Sequence, residues 1–184
     1  MGNPDGGNTR SVALLRGINV GGRRKVSMTD LAAAFRAAGC HDVVTYIQSG
    51  NVVFRPPEGD PASLVPKLES AVAGMAGFEV PVVVRSASAL AGVVAGQPYR
   101  AEDPAHLHVC FLGAEPSATA LGRFAEAAVP PEEFRRSGLD VYLRLPGGMG
   151  RSKLGLAVDR LAVPVTVRNW RTVEKLAELA GATP

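Results

Sequence analysis

The sequence predicts an α+β protein made of two similar halves, and three observations carry that reading. Apolar runs and helical periodicities follow the order β-α-β-turn-β-α-β-α twice along the chain. Each half has a hairpin signal near its middle, Ser49-Gly50 and Ser137-Gly138. A polar stretch with two prolines, Gln97 to Pro104, separates the halves. The order is that of the split βαβ, or ferredoxin-like, unit with one extra helix, so each half is expected to be an antiparallel sheet with helices on one face. The expected division is a disordered leader over 1–9, a first ferredoxin-like domain over 10–97 and a second over 98–184.

In the first half, Ser11–Leu15 has the length and apolar character of a buried strand. Ser27 opens a helix, with Asp30 at capping-box spacing in place of the usual Glu, and Met28, Leu31, Phe35 and Ala38 recur at helical spacing up to Gly39. Val43–Gln48 and Asn51–Arg55 form the hairpin. Asp60-Pro61 reads as an N-cap and first helical position, for a helix to about Gly74 interrupted early by Pro66. Val80–Arg85 is a strand and Ser88–Val94 a short helix. In the second half the strand Leu107–Leu112 is followed by the helix Pro116–Ala128. A hairpin of Glu133–Arg136 and Asp140–Leu145 comes next. Leu154, Ala157, Val158 and Leu161 mark a helix, Val163–Val167 a strand, and Asn169 caps a final helix that carries Val173, Leu176, Ala177 and Ala180 on one face.

Composition narrows the class. The chain has 184 residues, 46% hydrophobic and 20% charged, as expected of a globular protein with a real core. No apolar run is long enough to span a bilayer, and Met1–Thr9 has no apolar signal-peptide core. Cys40 and Cys110 are too few for a disulfide framework, which fits a cytoplasmic location. The net charge is +3 but uneven: residues 1–25 carry +4, 26–143 carry −5 and 144–184 carry +4. Were the fold to join the two basic ends, they would form a positive pole that attracts anions; otherwise they are solvated surface charge.

One connection stands apart. About eleven residues link the first strand and first helix of the first half, against Gly113–Glu115 in the second half. Long connections are often functional. In a split βαβ sheet the first and second strands are parallel with the third between them. Their C-terminal ends therefore share one sheet edge, and the loop Arg16-Gly17-Ile18-Asn19-Val20-Gly21-Gly22 is expected beside the turn Gln48-Ser49-Gly50-Asn51. Glycines permit close backbone approach, Arg16 offers a fork for phosphate or carboxylate, and Asn19, Gln48, Ser49 and Asn51 offer neutral hydrogen bonds, beside the N-terminus of the Ser27 helix. Each part also has a plain reading: Gly21-Gly22 as a turn, Asn51 as a turn-satisfying side chain, Arg23, Arg24 and Lys25 as a solvated flank.

Leu14–Gly22, Tyr46–Phe54 and Thr166–Val173 closely resemble, in this order, motifs of the bacterial family catalogued as domain of unknown function 1697. The resemblance covers almost the whole chain after the leader. It implies two ferredoxin-like domains arisen by duplication, and no established activity, substrate or cofactor. Arg171 departs from the family pattern, which often has Asn there, and makes the last motif more basic. The resemblance adds Arg168, Asn169 and Trp170 to the candidate ligand-binding residues, and Lys153, from the basic loop before the 154–161 helix, joins them. The expectation is a single cleft between the halves lined by all three motifs, with Trp170 as a stacking wall or else a core residue.

Other chemistry finds little support. His106, His108 and Cys110 alternate along one strand, but no fourth metal ligand is evident and no metal site is assigned. Gly147–Lys153 misses phosphate-loop spacing, and no nucleophile elbow or H-E-x-x-H motif occurs. No cofactor and no catalytic residue is assigned. The expectation is a protein, enzyme or not, that binds a small anionic ligand. One alternative is a nucleic-acid-binding module, which the pI near 9.1 permits but the 5% aromatic content disfavours. Another is an assembly protein without a ligand. The sequence leaves the oligomeric state open.

Overall fold

The computed structural model describes residues 10–22 and 24–182. The expected leader over 1–9, and Arg23, lie outside the described residues. The first sheet contains β1 (Ser11–Leu15), β2 (His41–Tyr46), β3 (Asn51–Arg55) and β4 (Val82–Ser86), with helices α1 (Met28–Ala37), α2 (Leu64–Ala76) and α3 (Ala87–Ala95). The second contains β5 (Leu107–Leu112), β6 (Glu133–Ser137), β7 (Asp140–Arg144) and β8 (Val165–Asn169), with α4 (Ala118–Ala125), α5 (Lys153–Leu156) and α6 (Trp170–Ala180). The strand orders are β2-β3-β1-β4 and β6-β7-β5-β8, and every neighbouring pair is antiparallel. Each half is thus a ferredoxin-like unit, as the order of elements predicts.

Alternation along the strands selects the faces. In the first sheet Ala13, Leu15, Val52, Phe54 and Val82 pack with Leu31 and Phe35 of α1 and Leu68 and Val72 of α2. The Phe35 and Phe54 rings meet edge to face at 5.3 Å. In the second, Cys110, Leu112, Leu143 and Val165 pack with Phe124, Leu154 and Leu161. The opposite faces are buried too: Val12, Leu14, Val53 and Val83 in one sheet, Val109, Phe111, Tyr142 and Thr166 in the other.

The chain divides into two compact units, one running to Ala91 and including the chain from Leu176, the other Gly92–Lys175. The divisions fall inside α3 and α6, not in the Gln97–Pro104 junction. In the first unit, Arg10 Nη1 donates to Leu179 O at 3.1 Å.

Several elements differ in their bounds from the sequence reading, β2, β4 and α4 among them, and three of the differences have a plain physical cause. The 60–74 helix opens with a 3-10 turn, Pro61–Ser63, and α2 runs on to Ala76, where Gly77 closes it at φ +77. Pro66 is the third residue of α2, where the backbone N–H has no partner within the helix, so it interrupts nothing. The 154–161 segment is not one helix but α5 between two 3-10 turns, Met149–Arg151 and Val158–Leu161, ended by Ala162 at φ +56. β8 lies two residues later than expected, after Pro164, whose carbonyl accepts from Gly113 N at 2.7 Å.

The halves share a repeat, Pro81-Val82-Val83-Val84-Arg85-Ser86 and Pro164-Val165-Thr166-Val167-Arg168-Asn169. In both, the arginine Nη1 donates to the preceding carbonyl, at 3.0 Å for Arg85 and 2.9 Å for Arg168. In both, the last side chain caps the next helix: Ser86 Oγ accepts from Ala89 N at 3.1 Å, and Asn169 Oδ1 from Thr172 N at 2.8 Å.

Gly50 is the tightest point of the first hairpin. At φ +77, a Cβ there would stand 2.8 Å from Leu15 Cβ and 2.9 Å from Ile18 Cδ1. Leu15 Cβ cannot swing away without moving β1. Gly50→Ala is therefore expected to cost about 2 kcal/mol, read as a Tm lower by roughly 4–8 °C in a thermal melt; an unchanged Tm would contradict the packing described.

Candidate functional site

The connection between β1 and α1 spans residues 16–27, against 113–117 between β5 and α4. It lies beside the β2–β3 turn, as the topology requires: Leu15 N donates to Gly50 O at 2.8 Å, and Leu14 and Tyr46 both pair with Asn51. The first-half candidates, Arg16, Gly17, Asn19, Gly21, Gly22, Gln48, Ser49 and Asn51, therefore gather at one edge of the first sheet.

Two asparagines frame this edge. Asn19 Nδ2 donates to Val26 O and to Gln48 O, both at 2.9 Å, and its Oδ1 accepts from Val26 N at 2.8 Å. Its backbone N–H goes to Arg24 O at 3.1 Å. Asn51, fully buried, donates through Nδ2 to Tyr46 O at 3.1 Å and Ser49 Oγ at 2.9 Å. Ile18 is an anchor in the core, packed with the α1/α2 face. The rest of the loop faces outward: Gly17, Val20, Gly21 and Gly22 are exposed and Arg16 is half-buried. Gly21 and Gly22 have positive φ, +59 and +74, and a Cβ on either would meet nothing within 4 Å. No acceptor among the described residues takes the N–H of Val20, Gly21 or Gly22. Arg24 stacks over the Phe78 ring at 5.0 Å. Ser27 caps α1, its Oγ accepting from Asp30 N at 3.1 Å.

The second-half candidates stand at a different kind of edge. β7 and β8 are both antiparallel to β5, so their C-terminal ends share the edge where β5 begins. Lys153 is exposed at the first position of α5, after the β7 end; Arg168 and Asn169 close β8 and Trp170 opens α6. In the first half the glycine loop occupies the other edge, where β1 ends. Arg168 is buried, its Nη1 donating to Thr166 Oγ1 at 2.6 Å, and desolvation lowers its pKa to about 10. Trp170 is 5% exposed.

A cluster that no motif signals lies at the same edge of the second sheet. Glu102 accepts from His106 Nδ1 at 3.0 Å and from Arg144 Nε, and Arg144 Nη1 also donates to Pro131 O at 2.9 Å. Arg144 Nη1 stands 3.4 Å from Glu133 Oε1. Its members are spread over more than forty residues of chain, so only the fold brings them together. His106 stands in a 3-10 turn ahead of β5, not on the strand with His108 and Cys110. Among the described residues no group of three His, Cys, Asp or Glu is placed to hold a metal ion.

A cleft of about 740 Å³ opens at the far edge of the first sheet, between the start of α2 and the ends of β1, β3 and β4. Ser11, Arg55, Pro57, Lys67, Val84 and Ser86 help to line it, and none of the sequence-derived candidates does.

The arrangement defines a class, a duplicated ferredoxin-like protein with a long glycine loop in its first half only. The chain belongs to the family described as "Protein of unknown function (DUF1697)", which matches residues 9–142. Among solved structures it is similar to a conserved bacterial protein, SP0830 from Streptococcus pneumoniae. The identity is 25% and the TM-score 0.78, over 94% of this chain and 98% of that one. No curated protein matches the chain.

Two outcomes are expected. Asn19→Ala strips partners from Val26 N, Val26 O and Gln48 O, and should cost about 2 kcal/mol in a urea titration, with faster proteolysis of the 20–25 segment. Hydrogen bonds from His106 and then Arg144 hold the Glu102 carboxyl down at about 2, below its ordinary 4.5. A lowered carboxyl pKa contributes stability that is present above 4.5 and lost as pH falls towards 2. Glu102→Gln should therefore flatten the acid side of the stability–pH profile measured by denaturant unfolding.

Proposed function

We propose that the protein is a cytoplasmic binder of a small anionic molecule, phosphate- or carboxylate-bearing, at the Arg16–Gly22 loop beside Gln48–Asn51. The observation that carries this reading is a loop anchored at Ile18, Asn19 and Val26 and exposed at Val20, Gly21 and Gly22. Asn19 and Ile18 fix it, while the N–H groups of Val20, Gly21 and Gly22 have no acceptor among the described residues. Successive backbone N–H groups in a turn suit an anion. Arg16 adds a positive group half-exposed at the start of the loop, and Lys25 another at its end. The cytoplasmic reading is supported by two buried free cysteines and by the absence, among the described residues, of any helix long and apolar enough to cross a membrane.

The nucleic-acid alternative lacks a platform of the usual kind. Split-βαβ sheets that read RNA stack bases on exposed strand aromatics. Here both faces of each sheet carry buried rows, and Phe54, Phe111 and Tyr142 are among the buried residues.

The test is thermal. Phosphate, sulfate, citrate and adenosine monophosphate are titrated against the wild-type protein and Arg16→Gln. An anion at a hundred times its Kd should raise Tm by roughly 5–10 °C, and Arg16→Gln should lose more than half of that rise. A flat Tm with every anion would reject the proposal.

A further inference from the structure

Ile47 is strained and exposed at once. It opens the β2–β3 turn at φ +48, a left-handed conformation that a β-branched side chain disfavours. The surroundings force it there. Asn51 pins the carbonyl before it, Tyr46 O, and Asn19 pins the one after it, Gln48 O. Leu15 N then fixes Gly50 O. Such strain persists where neighbouring structure over-determines it, and it gathers at functional sites.

The side chain does not explain the strain from within the fold. Of the four other non-glycine residues with positive φ among the described residues, Ala162 closes a 3-10 turn with a small side chain and three have partners that account for their identity: Asn19 bonds Val26 and Gln48, Asp42 pairs with Arg55 at 2.6 Å, and Arg24 lies over Phe78. Ile47 is 50% exposed, where asparagine or glycine would sit without strain. Across the Asn19–Gln48 bond stands Val20, 69% exposed. The two residues joined by that bond, Asn19 and Gln48, thus each have an exposed branched apolar residue next to them in the chain.

We infer that Ile47 and Val20 form the apolar rim of the loop site, and that its ligand is a small soluble organic phosphate whose remaining part is apolar. This rests on the anion-binding reading above and specifies the ligand's class. Three N–H groups with no acceptor among the described residues, beside the positive charge of Arg16, suit the several oxygens of a phosphate better than the two of a carboxylate. An apolar group attached to it covers the two side chains that water now touches.

Isothermal titration of the full chain with inorganic phosphate, hexyl phosphate and vesicles containing phosphatidate tests this. Hexyl phosphate is expected to bind about tenfold more tightly than inorganic phosphate, the gain from burying about two methylenes. Ile47→Asn should abolish that advantage, leave the affinity for inorganic phosphate within about twofold, and raise Tm by about 3 °C as the strain is relieved. Val20→Ser should also reduce the advantage, without the gain in Tm. Phosphate binding with no preference for hexyl phosphate would overturn the inference and leave the anion site standing. Binding of neither would overturn both. Binding to vesicles alone would assign the rim to a membrane surface and overturn it, as would a lower Tm for Ile47→Asn.

Discussion

The carboxamide of Asn19 ties together three pieces of chain that lie outside the strand ladders. Its two N–H groups reach Val26 O and Gln48 O and its oxygen takes Val26 N, so the loop start, the loop end and the neighbouring hairpin turn become one body. An asparagine side chain has two donor hydrogens, and both are committed here. The closure of the loop at Val26 and the conformation of the turn around Ile47 both depend on this clamp. Aspartate at the same position would have no hydrogens to give to the two carbonyls, and glutamine would place the amide one methylene too far out.

Much of this was legible in the residues. The repeated order of elements, the Ser49-Gly50 and Ser137-Gly138 turns and the cap at Ser27 follow from periodicity and local chemistry, and the meeting of the glycine loop with the hairpin turn follows from topology. The direction of the polar side chains did not. Asn19 reads from sequence as a donor open to a ligand and Asn51 as either that or a side chain that satisfies its own turn, because sequence counts hydrogen-bonding groups without showing which carbonyls stand beside them; in the fold the amide hydrogens of both go to the protein. The 154–161 segment shows a related limit. Leu154, Ala157, Val158 and Leu161 are all buried, as their spacing predicts, yet the backbone is broken, since burial of one face does not require a continuous helix. The Glu102–His106–Arg144 cluster gave no local signal at all.

The duplicated frame makes the difference between the halves informative. Arg16 N bonds Pro81 O in one, and Gly113 N bonds Pro164 O in the other, so Arg16 and Gly113 occupy equivalent places. A Cβ on Gly113 would meet Pro164 Cβ at 3.0 Å, and the chain proceeds at once to α4. At Arg16 it departs into the long loop instead. Two copies of one framework thus differ at the position where one of them carries exposed glycines, which separates what folding requires of the unit from what has been added to it.

The last turns of α6 belong with the first unit although the rest of that helix belongs with the second, and Arg10 at the head of β1 is bonded to Leu179. The order in which the chain is made is therefore not the order in which its units can be completed: the unit that holds β1 waits for the chain from Leu176 on, while Gly92–Lys175 has all its own chain earlier. A single cut in the middle of the sequence cannot release the first unit whole.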